Sequence, residues 1–433
     1  MRRTFLAVLT GLALLFTGCS KKDDGKSELV KLTPGEKITV ELEYANPSLF
    51  EIVNDELIEK FKTVNPDIEV KIRATYTNYE EGLQKILRAN MTDTLPDITF
   101  QGLNRIRVLV DKDIAVPLNA FIKSEKNFSE EGFNESMFAA GKFGDNVYGL
   151  PFAVSLPISY YNMDLVRAAG WDENDLPDTW EEVIELSQKI DALADETKGM
   201  YFSWQITGNW FWQALVMSQG GTMMDAEEKK IAFDGPEGKW AIRTFYEMVN
   251  MGNQPDRTHN DALVEFSTGL IGMWFASSAS VYKMSNLVGD KFELKTAPFP
   301  SVKSGIGHIP AGGNGAVIVA KDPKKQAAAW EVVKFWCGVD GAEVVARKTG
   351  YLPPNNLAAE TRLQDFYGNN PNSLAAVGQL PVMGGWYAFP GENSLKITDV
   401  IYGKMELIAT RKAGDPLAVL QDMTKEVSAL LPQ

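Results

Sequence analysis

The order of the apolar patterns between residues 38 and 100 constrains the fold more than any other feature of the sequence. Ile38, Val40, Leu42 and Tyr44 alternate as a half-buried strand requires, and Phe50, Val53, Leu57 and Phe61 then recur at helical spacing. Ile68, Val70 and Ile72 predict a second strand. Tyr79 to Asn90 predicts a second helix through Leu83, Ile86 and Leu87, and Pro96-Asp97-Ile98-Thr99-Phe100 predicts a third strand. Strand, helix, strand, helix, strand implies a parallel sheet with right-handed crossovers, hence an α/β lobe. The 433 residues exceed the roughly 250 to 300 at which a single core stops growing, so a second lobe is expected.

That second lobe announces itself where the pattern restarts. Pro157 to Tyr161 reads as a strand, followed by a helix opening at Asp178-Thr179-Trp180-Glu181-Glu182. There Thr179 and Glu182 have capping-box spacing, and Val183, Leu186 and Ile190 supply the apolar face. Pro236 marks a helix start, with Trp240, Phe245 and Val249 behind it. Leu270 to Phe275 predicts a buried strand. Asp322-Pro323 opens a long helix with Trp330, Val333, Phe335 and Trp336, and Gly350 before Tyr351-Leu352-Pro353-Pro354 predicts a helix stop.

The first residues carry Arg2 and Arg3, an apolar run from Phe5 to Phe16, then Thr17-Gly18-Cys19 and the polar Ser20-Lys21-Lys22-Asp23-Asp24. The run is shorter than the roughly 20 residues a spanning helix needs and has the form of a secretory signal. A small residue followed by Cys resembles the lipobox of bacterial lipoproteins, which implies a signal peptide over 1–18, lipidation at Cys19 and a flexible tether over 19–37. The only other cysteine is Cys337, so a processed chain has no internal disulfide available. A net charge of −14 offers no basic footprint for nucleic acid. Two His and two Cys leave too few ligands for a zinc cage or an iron–sulfur cluster, and no metal or cofactor is expected.

Four blocks carry a family resemblance. They are Tyr148-Gly149-Leu150-Pro151-Phe152 running into Tyr160-Tyr161-Asn162-Met163-Asp164; Ala168-Ala169-Gly170 followed by Pro177-Asp178-Thr179-Trp180-Glu181-Glu182; Gly269-Leu270-Ile271-Gly272-Met273-Trp274; and Lys348-Thr349-Gly350-Tyr351-Leu352-Pro353. Together they resemble the family 1 extracellular solute-binding proteins of bacterial ABC importers, the group that includes the maltose and glycerol-phosphate receptors. The resemblance implies an α/β, two-lobed periplasmic-binding-protein (Venus-flytrap) fold with multiple interlobe crossovers, near 150 to 156, near Trp274 and in the helix around Trp336. One lobe is then 38–152 with 272–335, the other 156–270 with 336–433. It further implies an exported, lipid-anchored, monomeric receptor facing the periplasm or cell exterior, with a carbohydrate-like ligand and permease subunits as partners.

Candidate binding residues follow from ring chemistry and from the resemblance. Sugars stack C–H faces on aromatic rings while their hydroxyls hydrogen-bond, so the cluster of Trp204, Trp210, Phe211 and Trp212 draws attention, and Trp204 and Trp210 are the candidate platforms. Trp212, Trp180, Trp240, Trp330 and Trp336 are expected in the core. The resemblance matches Tyr79, Ser155, the Ser277 and Ser278 pair, Gly312 and Gly313, and Tyr351 to cleft positions of the glycerol-phosphate subgroup. Hydroxyls and bare backbone N–H groups there could form a small anion nest; ordinary turn and capping chemistry uses the same residues. Lys396 stands where that subgroup leads one to expect an Arg, and Gln101-Gly102-Leu103-Asn104 stands where it leads one to expect a carboxylate. Trp386 and Tyr387 could add an aromatic wall.

Motifs for catalysis are missing: there is no Gly-x-Ser-x-Gly, His-Glu-x-x-His or Gly-x-x-x-x-Gly-Lys-Ser/Thr. His259 and His308 read as surface or hydrogen-bonded residues, and Glu80-Glu81 and Glu181-Glu182 as solvated helix starts. The expectation is a binding protein for a sugar, oligosaccharide or polyol and not an enzyme. A receptor for glycerol 3-phosphate or a glycerophosphodiester is the alternative, with a ligand sensor or a glycosidase behind it.

Overall fold

The computed structural model describes residues 29–133 and 139–432, so the export segment and Cys19 lie outside it. The first strand, Ile38–Ala45, pairs in parallel with Ile68–Tyr76 on one side and with Ile98–Gly102 on the other. The helices Pro47–Val64 and Tyr79–Met91 are the two crossovers. Pro47–Val64 buries Phe50, Val53, Leu57 and Phe61 against the sheet, each contributing roughly 1.5 to 3 kcal/mol of apolar transfer. Two further strands complete this sheet through antiparallel pairings, a feature the early pattern does not contain. Gly312–Ile318 pairs with Ile98–Gly102, and Leu150–Ser155 pairs with Gly312–Ile318.

The second sheet has the spatial order Leu294–Pro298, Pro157–Asn162, Ile271–Ser277, Lys198–Phe202. The expected capping box forms: Thr179 Oγ1 accepts from Glu182 N at 3.3 Å, and Glu182 accepts from Thr179 N. Asp322 caps its helix through Lys324 N and Lys325 N, both at 2.9 Å. Trp180, Trp212, Trp330 and Trp336 are buried in the core as expected, and Trp240 is half-buried against it.

The lobe boundaries differ from those expected. Ile271–Ser277 lies inside the second sheet, antiparallel to Pro157–Asn162 and parallel to Lys198–Phe202, so Trp274 is no crossing point and 272–298 belongs with the second lobe. The stretch around Trp336 stays with the first lobe, because its ring packs 5.5 Å from Phe61 and its Nε1 donates to Asn54 Oδ1 at 2.9 Å. The helix Val339–Lys348 packs there too. Among the described residues the chain crosses at Leu156, again between Pro298 and Gly312, and again between the helix Asn356–Thr361 and residues 371–378, which pack on Leu294–Pro298. Hydrophobic blocks locate strands; which sheet takes an interior strand depends on pairing that periodicity does not encode.

Cys337 is fully buried, and burial pushes its thiol pKa up. No helix among the described residues is long and apolar enough to cross a membrane.

Candidate functional site: the interlobe cleft

The carboxyl end of Ile98–Gly102 runs straight into Leu103, Asn104 and Arg105 at the junction of the lobes. In open α/β sheets this edge is where ligands bind. Gly102 permits a tight packing there, since a Cβ would stand 3.0 Å from the Tyr79 ring. Tyr79 begins its helix behind Asn78, whose Oδ1 accepts from Glu81 N at 2.9 Å. Its hydroxyl accepts from Asn314 Nδ2 at 3.1 Å and lies near that of Tyr351, whose ring stacks 5.3 Å from Phe50. Burial pushes the pKa of both tyrosines up, so both are neutral donors and acceptors.

Opposite them, the turn Thr207-Gly208-Asn209 feeds the helix Trp210–Ser218. Gly208 and Asn209 are both left-handed, at φ +67° and +57°. A Cβ on Gly208 would meet Asn104 Nδ2 and the Trp386 ring at 2.5 Å, so this glycine is where the two lobes touch. Trp386 Nε1 donates to Gly208 O at 3.2 Å, Trp210 Nε1 to Pro310 O at 2.8 Å, and the two indoles lie 6.1 Å apart. Gly312, from a crossing segment, lies against both the Trp210 ring and Ser155 Oγ.

Glu80 and Arg105 bind the waist together. Arg105 is 1% exposed, and its Nη2 donates to Glu80 at 2.7 Å and to Thr398 Oγ1 at 3.4 Å. Thr207 Oγ1 donates to the other Glu80 oxygen from the opposite lobe. Burial alone would raise the Glu80 pKa. The neighbouring Arg105 charge, with the hydrogen bonds from Arg105 and Thr207, outweighs it and holds the carboxyl below the usual range. Glu80 is thus no solvated helix start, contrary to expectation. Glu81 is, accepting from Thr77 N at 3.0 Å.

Around this waist several buried polar atoms have no hydrogen-bond partner: Gln101 Oε1, Asn104 Oδ1, Arg105 Nε, Asn209 Oδ1, Asn314 Oδ1 and Ser394 Oγ. Buried polar groups are normally paired, so each of these atoms has hydrogen-bonding capacity left over for a water or a ligand. Two chambers flank the waist. One, of about 480 Å³, includes Leu103, Arg107, Phe143, Met217, His308 and Trp386; the other, of about 690 Å³, includes Asn46, Glu80, Trp204, Thr207, His259 and Tyr402. Among the described residues no group of three or more His, Cys, Asp or Glu is placed to hold a metal.

The expected site residues divide accordingly. Tyr79, Tyr351, Ser155, Trp210, Trp386, Gly312 and Gly313 gather along the interlobe face, and Trp204 lines the larger chamber. Ser277 Oγ accepts from Ala279 N at 3.2 Å and Ser278 Oγ from Leu156 N at 3.1 Å. These bonds are of the turn and capping kind that the same residues were also expected to make. Lys396 lies on the exposed side of the helix Ser394–Ala409, whose Ser394, Ile397, Thr398 and Ile401 face inward, so it is not the cleft cation expected. The buried cation is Arg105, which sequence reasoning passed over. Its signal was its place three residues past the end of a central parallel strand. His308 is exposed, while burial and the nearby Lys283 charge push His259 down to about 4 beside the Trp274 ring.

Comparison with known proteins accords with this geometry. The sequence pattern of the bacterial extracellular solute-binding proteins matches residues 48–343. The sn-glycerol-3-phosphate-binding periplasmic protein UgpB of Salmonella typhimurium is 26% identical over 342 residues, covering 75% of this chain and 76% of its own. Among solved structures, UgpB of Mycobacterium tuberculosis in complex with glycerophosphocholine superposes with a TM-score of 0.79 at 21% identity, over 90% of this chain and 97% of that one. The sugar-binding protein MalE of Xanthomonas citri superposes with a TM-score of 0.76 at 20% identity, over 91% and 97%. The two structural likenesses establish the shared two-lobed fold, and the sequence match, spanning well over half the chain, establishes descent: this chain belongs to the bacterial extracellular solute-binding protein family.

Proposed function

We propose that this protein captures a sugar, oligosaccharide or polyol between its lobes and delivers it to the membrane permease of an ABC importer. The observation that carries the reading is the meeting of two indole rings, Trp210 and Trp386, with uncharged orphan oxygens of Asn104, Asn209, Asn314 and Ser394 at one interlobe waist. Polyhydroxylated solutes use both kinds of surface. The Arg105 guanidinium at that waist already has the Glu80 carboxylate, and Lys396 is turned outward, which favours a neutral ligand. The function needs no catalytic step. Lipidation at Cys19 would keep the receptor, a monomer in this reading, at the cell surface or in the periplasm, and mass spectrometry of the membrane fraction reads the acyl chains directly.

A second reading has its own support. The glycerol-phosphate relatives, together with the gathering of Tyr79, Tyr351, Ser155 and Gly312, favour glycerol 3-phosphate or a glycerophosphodiester. Arg105 Nε, which has no protein acceptor, is the donor this reading needs.

A thermal-shift panel on residues 20–433 separates the two, because a ligand that binds only the folded state raises its apparent stability. Neutral sugars or polyols alone should raise Tm. A shift with glycerol 3-phosphate or glycerophosphocholine alone selects the second reading. Hydrolysis of a sugar without stabilisation would replace both with a glycosidase. Tm shifts do not bear on transport against sensing, which uptake by a strain lacking the protein tests.

A further inference from the structure

Arg107 and Glu228 face each other across the rim of the 480 Å³ chamber from opposite lobes. Arg107 sits in the helix Ile106–Asp111 that follows the central strand of the first sheet. Glu228 sits in a turn of the second lobe, between the helices Trp210–Ser218 and Pro236–Asn250. Arg107 Nη1 and Nη2 each donate to a different Glu228 oxygen, the Nη2 bond at 2.6 Å, so the pair is a two-pronged fork. Tyr387 adds its hydroxyl to Glu228 Oε1 at 2.9 Å. Arg107 also reaches Asp111 Oδ2 on its own helix, at 3.4 Å.

The turn that presents Glu228 is built for the task. Glu228 has φ +55°, a left-handed backbone that non-glycine residues adopt only where their surroundings enforce it. Asp225 enforces it: its Oδ1 accepts from Lys229 N at 2.7 Å and Lys230 N at 3.0 Å, and its carbonyl accepts from Glu228 N at 3.0 Å. A contrast lies nearby. Lys112 and Glu392 also approach across the lobes, but at 3.6 Å and with Glu392 90% exposed, a pair of the kind that contributes little.

We propose that Arg107, Glu228 and Tyr387 form an ionic latch that biases the lobes toward closure before any ligand arrives. The fork exists only while the lobes are together, so its free energy enters the open-to-closed ratio directly, and ionic strength tunes it. A ligand that requires the closed cleft then meets a larger competent fraction and binds with higher apparent affinity. None of this depends on which solute the cleft takes, so it stands or falls apart from the ligand reading.

The test uses ligand-free protein from residue 20 onward, which retains every described residue. Fluorophores at Lys123→Cys on the first lobe and Glu196→Cys on the second report the interlobe distance; both positions are exposed, and the native Cys337 is buried. Raising NaCl from 20 mM to 1 M should raise the open-to-closed ratio roughly fivefold. Glu228→Gln should show the raised ratio already at 20 mM, with no further salt response. Arg107→Lys should fall between, since a point charge cannot reproduce the fork. The swap Arg107→Glu with Glu228→Arg should restore closure and its salt response. Identical distances in wild type and Glu228→Gln at both salts would overturn the latch. So would single variants that open while the swap stays open.

Discussion

Gly312 lies so close to Trp210 that a Cβ on the glycine would stand 2.7 Å from the indole ring and 2.9 Å from Ser155 Oγ. Gly312→Ala should therefore push the ring out of place and cost about 1 to 3 kcal/mol. Urea unfolding measures the cost, and an altered tryptophan emission maximum would report the displaced indole. Unchanged stability and emission would mean that the crossing segment yields freely.

Trp210 is held by packing as well as by its N–H bond. Its ring lies 5.5 Å from Phe211 and 6.1 Å from Trp386, and its Nε1 reaches Pro310 O. Trp210→Ala should lose about 3 to 5 kcal/mol, and Trp210→Phe, which keeps a ring but forfeits the hydrogen bond, nearer 1 to 2 kcal/mol. Calorimetric unfolding of the two variants tests the order, and equal losses would assign the stabilisation to the bond.

His259 gives the protein an acid-side sensitivity. Burial, with a smaller push from Lys283, holds it at about 4, below the roughly 6.5 of an unfolded histidine. The unfolded chain takes up this proton first, so the contribution is complete above about pH 6.5 and is lost as pH falls toward 4. The loss is on the order of 3 kcal/mol. His259→Gln should remove that share, so the stability gap between variant and wild type, measured in urea at pH 7 and pH 4.5, should shift in favour of the variant at the lower pH.

Glu80 and Arg105 should behave as a unit. Glu80→Gln leaves the 1% exposed Arg105 without its counter-charge and should cost about 3 kcal/mol. Glu80→Gln combined with Arg105→Met removes both charges and should recover much of the loss. A double variant as unstable as the sum of the two single ones would show that the residues act separately.

Much of this was legible in the sequence. The first three strands and their two helices follow from periodicity, and the Thr179 to Glu182 capping box from local chemistry, because both signals lie within a few residues of the structure they specify. Trp210, Tyr79 and Gly312 could be singled out because bulk, aromaticity and missing side chains are visible in one dimension. The sheet that takes Ile271–Ser277 could not be read, since any buried apolar strand suits either sheet until its partners are known. Arg105 was hidden for a related reason: an arginine at a strand end looks like any surface cation until Glu80 and Thr398, distant in sequence, close over it. Lys396 shows the converse, a plausible residue placed on the solvent side of its helix by the spacing of Ile397 and Ile401.

The antiparallel pairing of Gly312–Ile318 with Ile98–Gly102 joins segments on the order of 200 residues apart. Until ribosomes have delivered the later strand, the earlier one has an open flank and the first lobe has no finished core. The sheet of the first lobe therefore cannot be complete before residue 318 has been made, so this lobe depends for its core on chain that follows most of the second lobe's strands.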